Sequence, residues 1–231
     1  SIVGSFGMRD IMAKMSLAIP FQYKPGTHFV YNNVGPYLAG ILVQRRSGCD
    51  LVSYLTPRLF KHLGIKRPTW ETDPLGNSFG AGGLFLTLSE LHKFGLFYLN
   101  KGKWNGKQIL SEKWIEESTA ASDTDNYGYL FWRGEYNSYR ADGKYSQISM
   151  ILPDKNAVIS MVAECRNGEE LMSVWYVQSY RLLLHNFEKG KTKRAQTARL
   201  YKIDGLDSEA DEGAGIDLGR RKIIADPPFL C

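Results

Sequence analysis

The chain has 231 residues, 43% hydrophobic and 23% charged, with a net charge of +5, the proportions of a globular protein with a core of its own. A charge this modest, with no dense Lys/Arg stripe interleaved with aromatics before the C-terminal tail, argues against a nucleic-acid-binding surface. No apolar run is long enough to cross a bilayer, and the three widely separated cysteines, Cys49, Cys165 and Cys231, match neither a disulfide framework nor a metal-ligand spacing.

In chain order, the first expected element is a helix from about Arg9 to Ile19. Loop and turn follow from Phe21 to Tyr31. Val34, Tyr37, Leu38, Ile41 and Leu42 then fall at helical spacing, and Gly48 stops that helix. Asp50 is placed to cap a second helix through about His62, closed by Gly64. Residues Lys66 to Leu86, rich in Pro, Gly and Asn, read as a long surface loop. Thr87-x-x-Glu90 is a capping box opening a helix to about Asn100, and Ser111 opens another. From Tyr127 the period changes to that of strands: Tyr127–Arg133, Ser138–Ala141, Gln147–Leu152 and Ala157–Ala163, with a hairpin turn at Pro153–Asn156. A last helix is expected near Glu169. Helices followed by antiparallel strands give an α+β fold.

Chemistry concentrates at Lys24-Pro25-Gly26-Thr27-His28-Phe29-Val30-Tyr31-Asn32-Asn33. A turn delivers the chain into Tyr31-x-Asn33, just before a helix, so a phenol and an amide can face one cleft. The phenol serves as a base when its pKa is lowered, and the amide can hold a carbonyl. Taken alone, the same two residues suit a packed turn tyrosine and a helix-capping Asn.

The stretch from about Phe21 to Trp175 resembles the serine β-lactamase-like hydrolases, which include class C β-lactamases, DD-peptidases and related esterases. Tyr31-Asn32-Asn33 matches the family's Tyr-x-Asn motif. Gly80-Ala81-Gly82-Gly83-Leu84, Leu91–Gly95, Tyr98–Gly102, Trp104–Ser111 and Tyr127-Gly128-Tyr129 follow in family order. The resemblance implies a serine acyl-enzyme acting on a small-molecule ester or amide, β-lactam or peptide-like, with no cofactor; His28, His92 and His185 have no ligand-like spacing, so no metal site is expected, nor, from the modest charge, a nucleic-acid partner. Tyr31 would move the proton and Asn33 would bind the substrate amide, as the catalytic pair.

The family's (Lys/His)-x-Gly strand falls on Ala141-Asp142-Gly143. The glycine is kept and the basic residue is not. Arg140, Asp142, Gly143 and Lys144 are the candidate substrate-binding residues, with the Lys144 backbone N–H as one oxyanion donor. Ser146 stands where relatives carry Gly, which sets the fit of this strand end in question. His62-Leu63-Gly64 also spells the motif, but at a helix end. Gly80–Gly83 lacks the Gly-Lys-Ser/Thr of a phosphate loop and reads instead as a close chain passage.

The nucleophile motif Ser-x-x-Lys is absent: no lysine in the sequence has Ser or Thr three places before it. In the family it precedes Tyr-x-Asn, so the expectation is a partial domain over 1–186 that lacks the family's N-terminal part, inactive as it stands. The alternative is a non-catalytic binding module of the same fold. No signal peptide is visible at Ser1–Gly4, and the compartment stays open, with the cytoplasm as the default. Residues 187–231 alternate basic and acidic blocks with poor apolar periodicity, and read as a divergent, disordered tail.

Overall fold

The computed structural model describes residues 11–122, 126–162 and 196–199. Helix α1 covers Ile11–Ala18 and α2 covers Val34–Ser47. Gly48 ends α2 at φ 71°, its N–H bonded to the Gln44 carbonyl, the left-handed closure that glycine makes without strain. The Asp50 carboxylate accepts the Ser53 N–H at 2.8 Å and the Ser53 hydroxyl at 2.8 Å, which caps α3 (Leu51–Leu55).

The helix expected through His62 is not regular. A π-helical stretch, Thr56–Phe60, separates α3 from the last turn, α4 (Lys61–Leu63). Pro57 explains it. Proline has no N–H for the Ser53 carbonyl, and the bonds slip by one residue, so that the Lys61 N–H reaches the Thr56 carbonyl.

Residues 66–86 are more than a surface loop. They contain the short pair β1 (Thr69–Trp70) and β2 (Leu84–Phe85) and bury Asp73 and Ser78. Asp73 organises the turn, accepting from the Leu75 N–H, the Asn77 N–H and the Asn77 amide, while the Tyr37 hydroxyl of α2 donates to it at 2.9 Å. Gln44 reads Ser78 twice. Its amide donates to the Ser78 carbonyl at 3.1 Å, and its oxygen accepts the Ser78 N–H at 2.7 Å. Sequence periodicity shows neither bond, because polar side chains on α2 carry the attachment. The glycine passage fits here: a Cβ on Gly80 would lie 2.7 Å from the Pro36 carbonyl oxygen.

Thr87 and Glu90 form both halves of the capping box that opens α5 (Leu88–Leu99). Asn105 (φ 46°) and Gly106 (φ 78°) close the hairpin of β3 (Lys103–Trp104) and β4 (Lys107–Gln108), an Asn-Gly turn whose twist suits antiparallel strands. Ser111 caps α6 (Glu112–Thr119).

The main sheet runs β5 (Trp132–Arg133), β6 (Tyr139–Gly143), β7 (Gln147–Leu152), β8 (Ala157–Met161) and β9 (Gln196–Arg199), in that order. The first three pairings are antiparallel and β8–β9 is parallel. The strand expected from Tyr127 is shorter than its period suggests. Leu130 turns left-handed at φ 66°, and the Gly128 N–H bonds the Phe131 carbonyl at 2.8 Å, so regular pairing waits until Trp132. β9 lies within the tail read as disordered. Those four residues instead pair with the backbone edge of β8, which composition does not reveal. The rest of the tail, and the helix expected near Glu169, lie outside the described residues.

The sheet is apolar on both faces. Tyr139, Ile151 and Val158 join Phe60, Leu63, Phe97 and Phe131 in the larger core cluster, where α5 crosses β7 and β8. Gly95 makes that crossing close, since a Cβ there would collide with the Ser149 hydroxyl. Ile148, Met150, Leu152 and Ile159 form the second cluster. Burying a side chain such as Phe97 or Ile151, both fully buried, contributes about 2–3 kcal/mol.

Candidate functional site

Gly26 (φ 83°) and the bond from the Thr27 N–H to the Lys24 carbonyl (3.2 Å) make the turn that sets up residues 28–33. The Thr27 hydroxyl donates to the Lys24 carbonyl at 2.7 Å and lies 2.9 Å from His28 Nδ1. Its proton is committed to the turn, so this neighbouring hydroxyl–imidazole pair is not an activated nucleophile.

Asn32, not Asn33, caps α2. The Asn32 carboxamide oxygen accepts from the Val34 N–H (3.0 Å) and the Gly35 N–H (3.1 Å), and its amide donates to the Val30 carbonyl at 2.9 Å. Asn33 makes no side-chain cap and is exposed. The division of labour leaves the Asn33 amide available to a ligand.

Tyr31 is 56% exposed. Its ring stacks on Trp132 with centroids 5.6 Å apart and planes at 20°, and meets Tyr127 edge-on at 5.9 Å. Phe29 packs against both Tyr127 and Trp132. These four rings join the Tyr31 segment to the main sheet. Trp132 pairs directly with Arg140 in the β5–β6 ladder, and residues opposite each other in such a ladder share a face. Burial, reinforced by the nearby charges of Tyr31 and Asp142, pushes the Tyr127 phenol up. Tyr127 therefore stays protonated at neutral pH, with its ring against Phe29, Tyr31 and the Trp132 ring of β5. Phe29, Tyr127 and Trp132 were not singled out as site residues from sequence. The aromatic density of Tyr127–Trp132 was visible, but its partner across the cleft was not.

On β6, Arg140 and Asp142 sit two residues apart on one face and bind each other, Nε to Oδ2 at 2.9 Å, both side chains about four-fifths buried. The guanidinium charge expected to face a substrate is thus already partnered. Gly143 ends the strand, where a Cβ would press on Gln147 at 3.3 Å. The Lys144 ammonium lies over the neighbouring Tyr145 ring, 4.8 Å from its centroid. Tyr145 and Ser146 both turn left-handed, at φ 64° and 74°. Ser146 is buried and its hydroxyl has no hydrogen-bond partner among the described residues. This is the physical reason a glycine suits that position.

A second hydroxyl–imidazole group lies elsewhere. His92 Nδ1 is 3.1 Å from the Ser160 hydroxyl, itself 3.1 Å from that of Ser149. All three residues are buried between α5 and the sheet, where no substrate carbonyl can reach, so the group is structural. Among the described residues no cluster of His, Cys, Asp or Glu is placed to hold a metal ion. No helix there is long and apolar enough to cross a membrane.

Residues 8–178 match the Beta-lactamase family. The chain belongs to that family. An N-acetylmuramyl-L-alanine amidase of Bacillus subtilis (strain 168) is 24% identical over 169 residues, which is 54% of this chain and 38% of the amidase. Among solved structures, a candidate 6-aminohexanoate-dimer hydrolase from Bacillus anthracis superposes with a TM-score of 0.64 at 24% identity, covering 77% of this chain and 49% of that one. A β-lactamase from Mycobacterium bovis gives 0.56 at 18% identity, covering 71% and 66%. The fold is that of the β-lactamase and penicillin-binding-protein group. The chain spans about half the length of the Bacillus anthracis protein and less of the amidase.

Proposed function

We propose that this chain carries the Tyr-x-Asn and third-motif portion of an ester- or amide-cleaving serine hydrolase site. Tyr31 moves the proton, the Asn33 amide orients the acyl carbonyl, and the Lys144 backbone N–H holds the developing oxyanion. The observation that carries this reading is the freedom of the two motif side chains. Asn32 takes over the capping, and the ring stack on Trp132 holds Tyr31 exposed beside β5. The names of two relatives, an N-acetylmuramyl-L-alanine amidase and a 6-aminohexanoate-dimer hydrolase, agree with hydrolytic chemistry.

Residues 1–231 by themselves turn over no substrate on this reading, because Ser-x-x-Lys is not among them. The test is hydrolysis of a chromogenic ester and of nitrocefin by the purified chain. The expected rate is the buffer background, and turnover blocked by a serine-directed reagent would refute inactivity. The second reading, a binding module without chemistry, is favoured by the large core cluster around Phe97 and by the side-chain caps that open α3, α5 and α6. It predicts a cooperative melt and saturable binding of an acyl-amide ligand, weakened by Asn33→Ala.

A further inference from the structure

An exposed aromatic ring is ordinary when it stands alone. Trp114 on α6 and Tyr129 on the loop before β5 do not stand alone. Their rings meet, with centroids 5.7 Å apart and planes at 47°, yet both keep much of their surface in water, 44% and 58%. The Tyr98 phenol is pushed up by burial and drawn back by hydrogen bonds from the Ser118 and Trp114 side chains. Indole has one donor, Nε1–H. The polar edge of Trp114 is therefore engaged inside the protein, and apolar ring surface is left to solvent.

The loop that carries Tyr129 is held as firmly. The Tyr129 N–H donates to the Ser118 carbonyl of α6 at 2.8 Å, and the Gly128 N–H donates to the Phe131 carbonyl at 2.8 Å to close a tight turn. A Cβ on Gly128 would collide with the same Ser118 carbonyl. Leu130 sits at φ 66° and is 54% exposed, a conformation that disfavours every residue but glycine. Phe131 turns into the core, so the turn presents Tyr129 and Leu130 to solvent. A ligand landing here would have little left to order.

We infer that the Trp114–Tyr129 pair is a binding platform for a neutral saccharide. Three observations choose that ligand class. The first is size. Trp114, Tyr129 and Leu130 at these exposures offer about 300 Å², well short of the roughly 800 Å² per partner that a stable protein interface buries. The second is charge. Lys113 and Glu117 of α6 lie 3.6 Å apart and are exposed, while Glu112 and Glu116 pair with Lys103 and Lys101. The rim is thus neutral but carries donors and acceptors, which suits hydroxyl groups and gives no field to hold an ion. The third is shape. A pyranose carries hydroxyls at its edge and polarised C–H groups on its face, and these C–H groups are drawn to the negative face of an aromatic ring. Two rings tilted at 47° fit a puckered ring better than a flat one. The inference does not rest on the hydrolytic reading.

The test is saturation-transfer NMR of the unmodified full chain with maltohexaose, cellohexaose and chitohexaose, and with decaproline as a competing probe. Titration calorimetry follows for any that respond. The ring C–H protons of at least one saccharide should receive saturation, with a Kd between micromolar and millimolar. Tyr129→Ala should weaken that binding by about five-fold or more. Should the variant misfold, nitration of Tyr129 by tetranitromethane in the unmodified chain decides the matter. The saccharide should slow it several-fold, with Tyr23 nitrated at its unliganded rate. Absence of saturation transfer to all the saccharides overturns the proposal. So does binding that leaves Tyr129 nitration unchanged or that Tyr129→Ala does not weaken. Decaproline bound at Tyr129 more tightly than any saccharide overturns the ligand class. Hydrolysis is read in none of these measurements, so their failure leaves the proposed chemistry untouched.

Discussion

Ser146 is a residue in the wrong backbone conformation for its type. It combines φ 74° with a buried hydroxyl that has no partner among the described residues, each a cost that glycine removes. Ser146→Gly should therefore stabilise the chain by about 1 kcal/mol despite glycine's greater freedom when unfolded, read as a higher denaturant midpoint at unchanged slope. A contrast at the ring stack separates the hydroxyl of Tyr31 from its ring. Tyr31→Phe keeps the stack on Trp132 and should shift stability by less than about 0.5 kcal/mol. Trp132→Ala removes the shared ring of the cluster and should cost about 1–3 kcal/mol. Equal losses in chemical denaturation would disprove that the ring, not the hydroxyl, holds Tyr31 in place.

At the scale of elements, carboxylates hold two helix starts, at Asp50 and Glu90, and the turn that follows Asp73. Asp50 is held below its ordinary value chiefly by the Ser53 N–H. Burial pushes Asp73 and Glu90 up, but their hydrogen bonds outweigh it. Asn77, Tyr37 and Leu75 bind Asp73, while Thr87 and Lys66 bind Glu90 with help from the Lys93 charge, and both carboxyls end lowered. A lowered folded pKa adds stability that is present above the unfolded values, 3.8 for Asp and 4.5 for Glu, and lost as pH falls through the folded ones. Acid unfolding should thus steepen below about pH 4. Asp73→Asn should lower the melting temperature at pH 7 and flatten that acid limb. An acid limb as steep as the parent's would show that Asp73 does not contribute to it.

These elements were largely legible in the sequence, because caps are local. Asp50, Thr87-x-x-Glu90, Ser111, Gly48 and Gly64 each act within one turn. The strands β6, β7 and β8 were legible for the same reason, with period and turn residues adjacent in the chain. What stayed hidden was either non-local or a departure of the backbone at a single residue. The π turn at Pro57 depends on a bond that has to slip, the end of the Tyr127 strand on one left-handed leucine, and β9 on an edge 39 residues away (157 to 196). The site divides likewise. Tyr31, Asn33 and Gly143 stand out as a motif, whereas the Arg140–Asp142 pairing and the Trp132 stack appear only when the strands are in register.

For the whole molecule, the fold is a sheet covered by α5 on one face, with α2 and its attached loop bearing the Tyr-x-Asn corner. Gln44 is the attachment to test. Gln44→Leu leaves the N–H and carbonyl of buried Ser78 without their partner and should cost about 2–4 kcal/mol. It should also open residues 66–86 to limited proteolysis, and a loop as resistant as the parent's would place the anchorage in Tyr37–Asp73 instead. The same carboxamide has a meaning in polymer terms. It ties two points 34 residues apart, a ring whose closure costs the unfolded chain about 4 kcal/mol of entropy. A disulfide lifts that cost by remaining closed in both states. Two hydrogen bonds cannot, because they exist only once the ring has formed. Replacing positions 44 and 78 by a covalent clasp of matching geometry would transfer the cost from folding to synthesis.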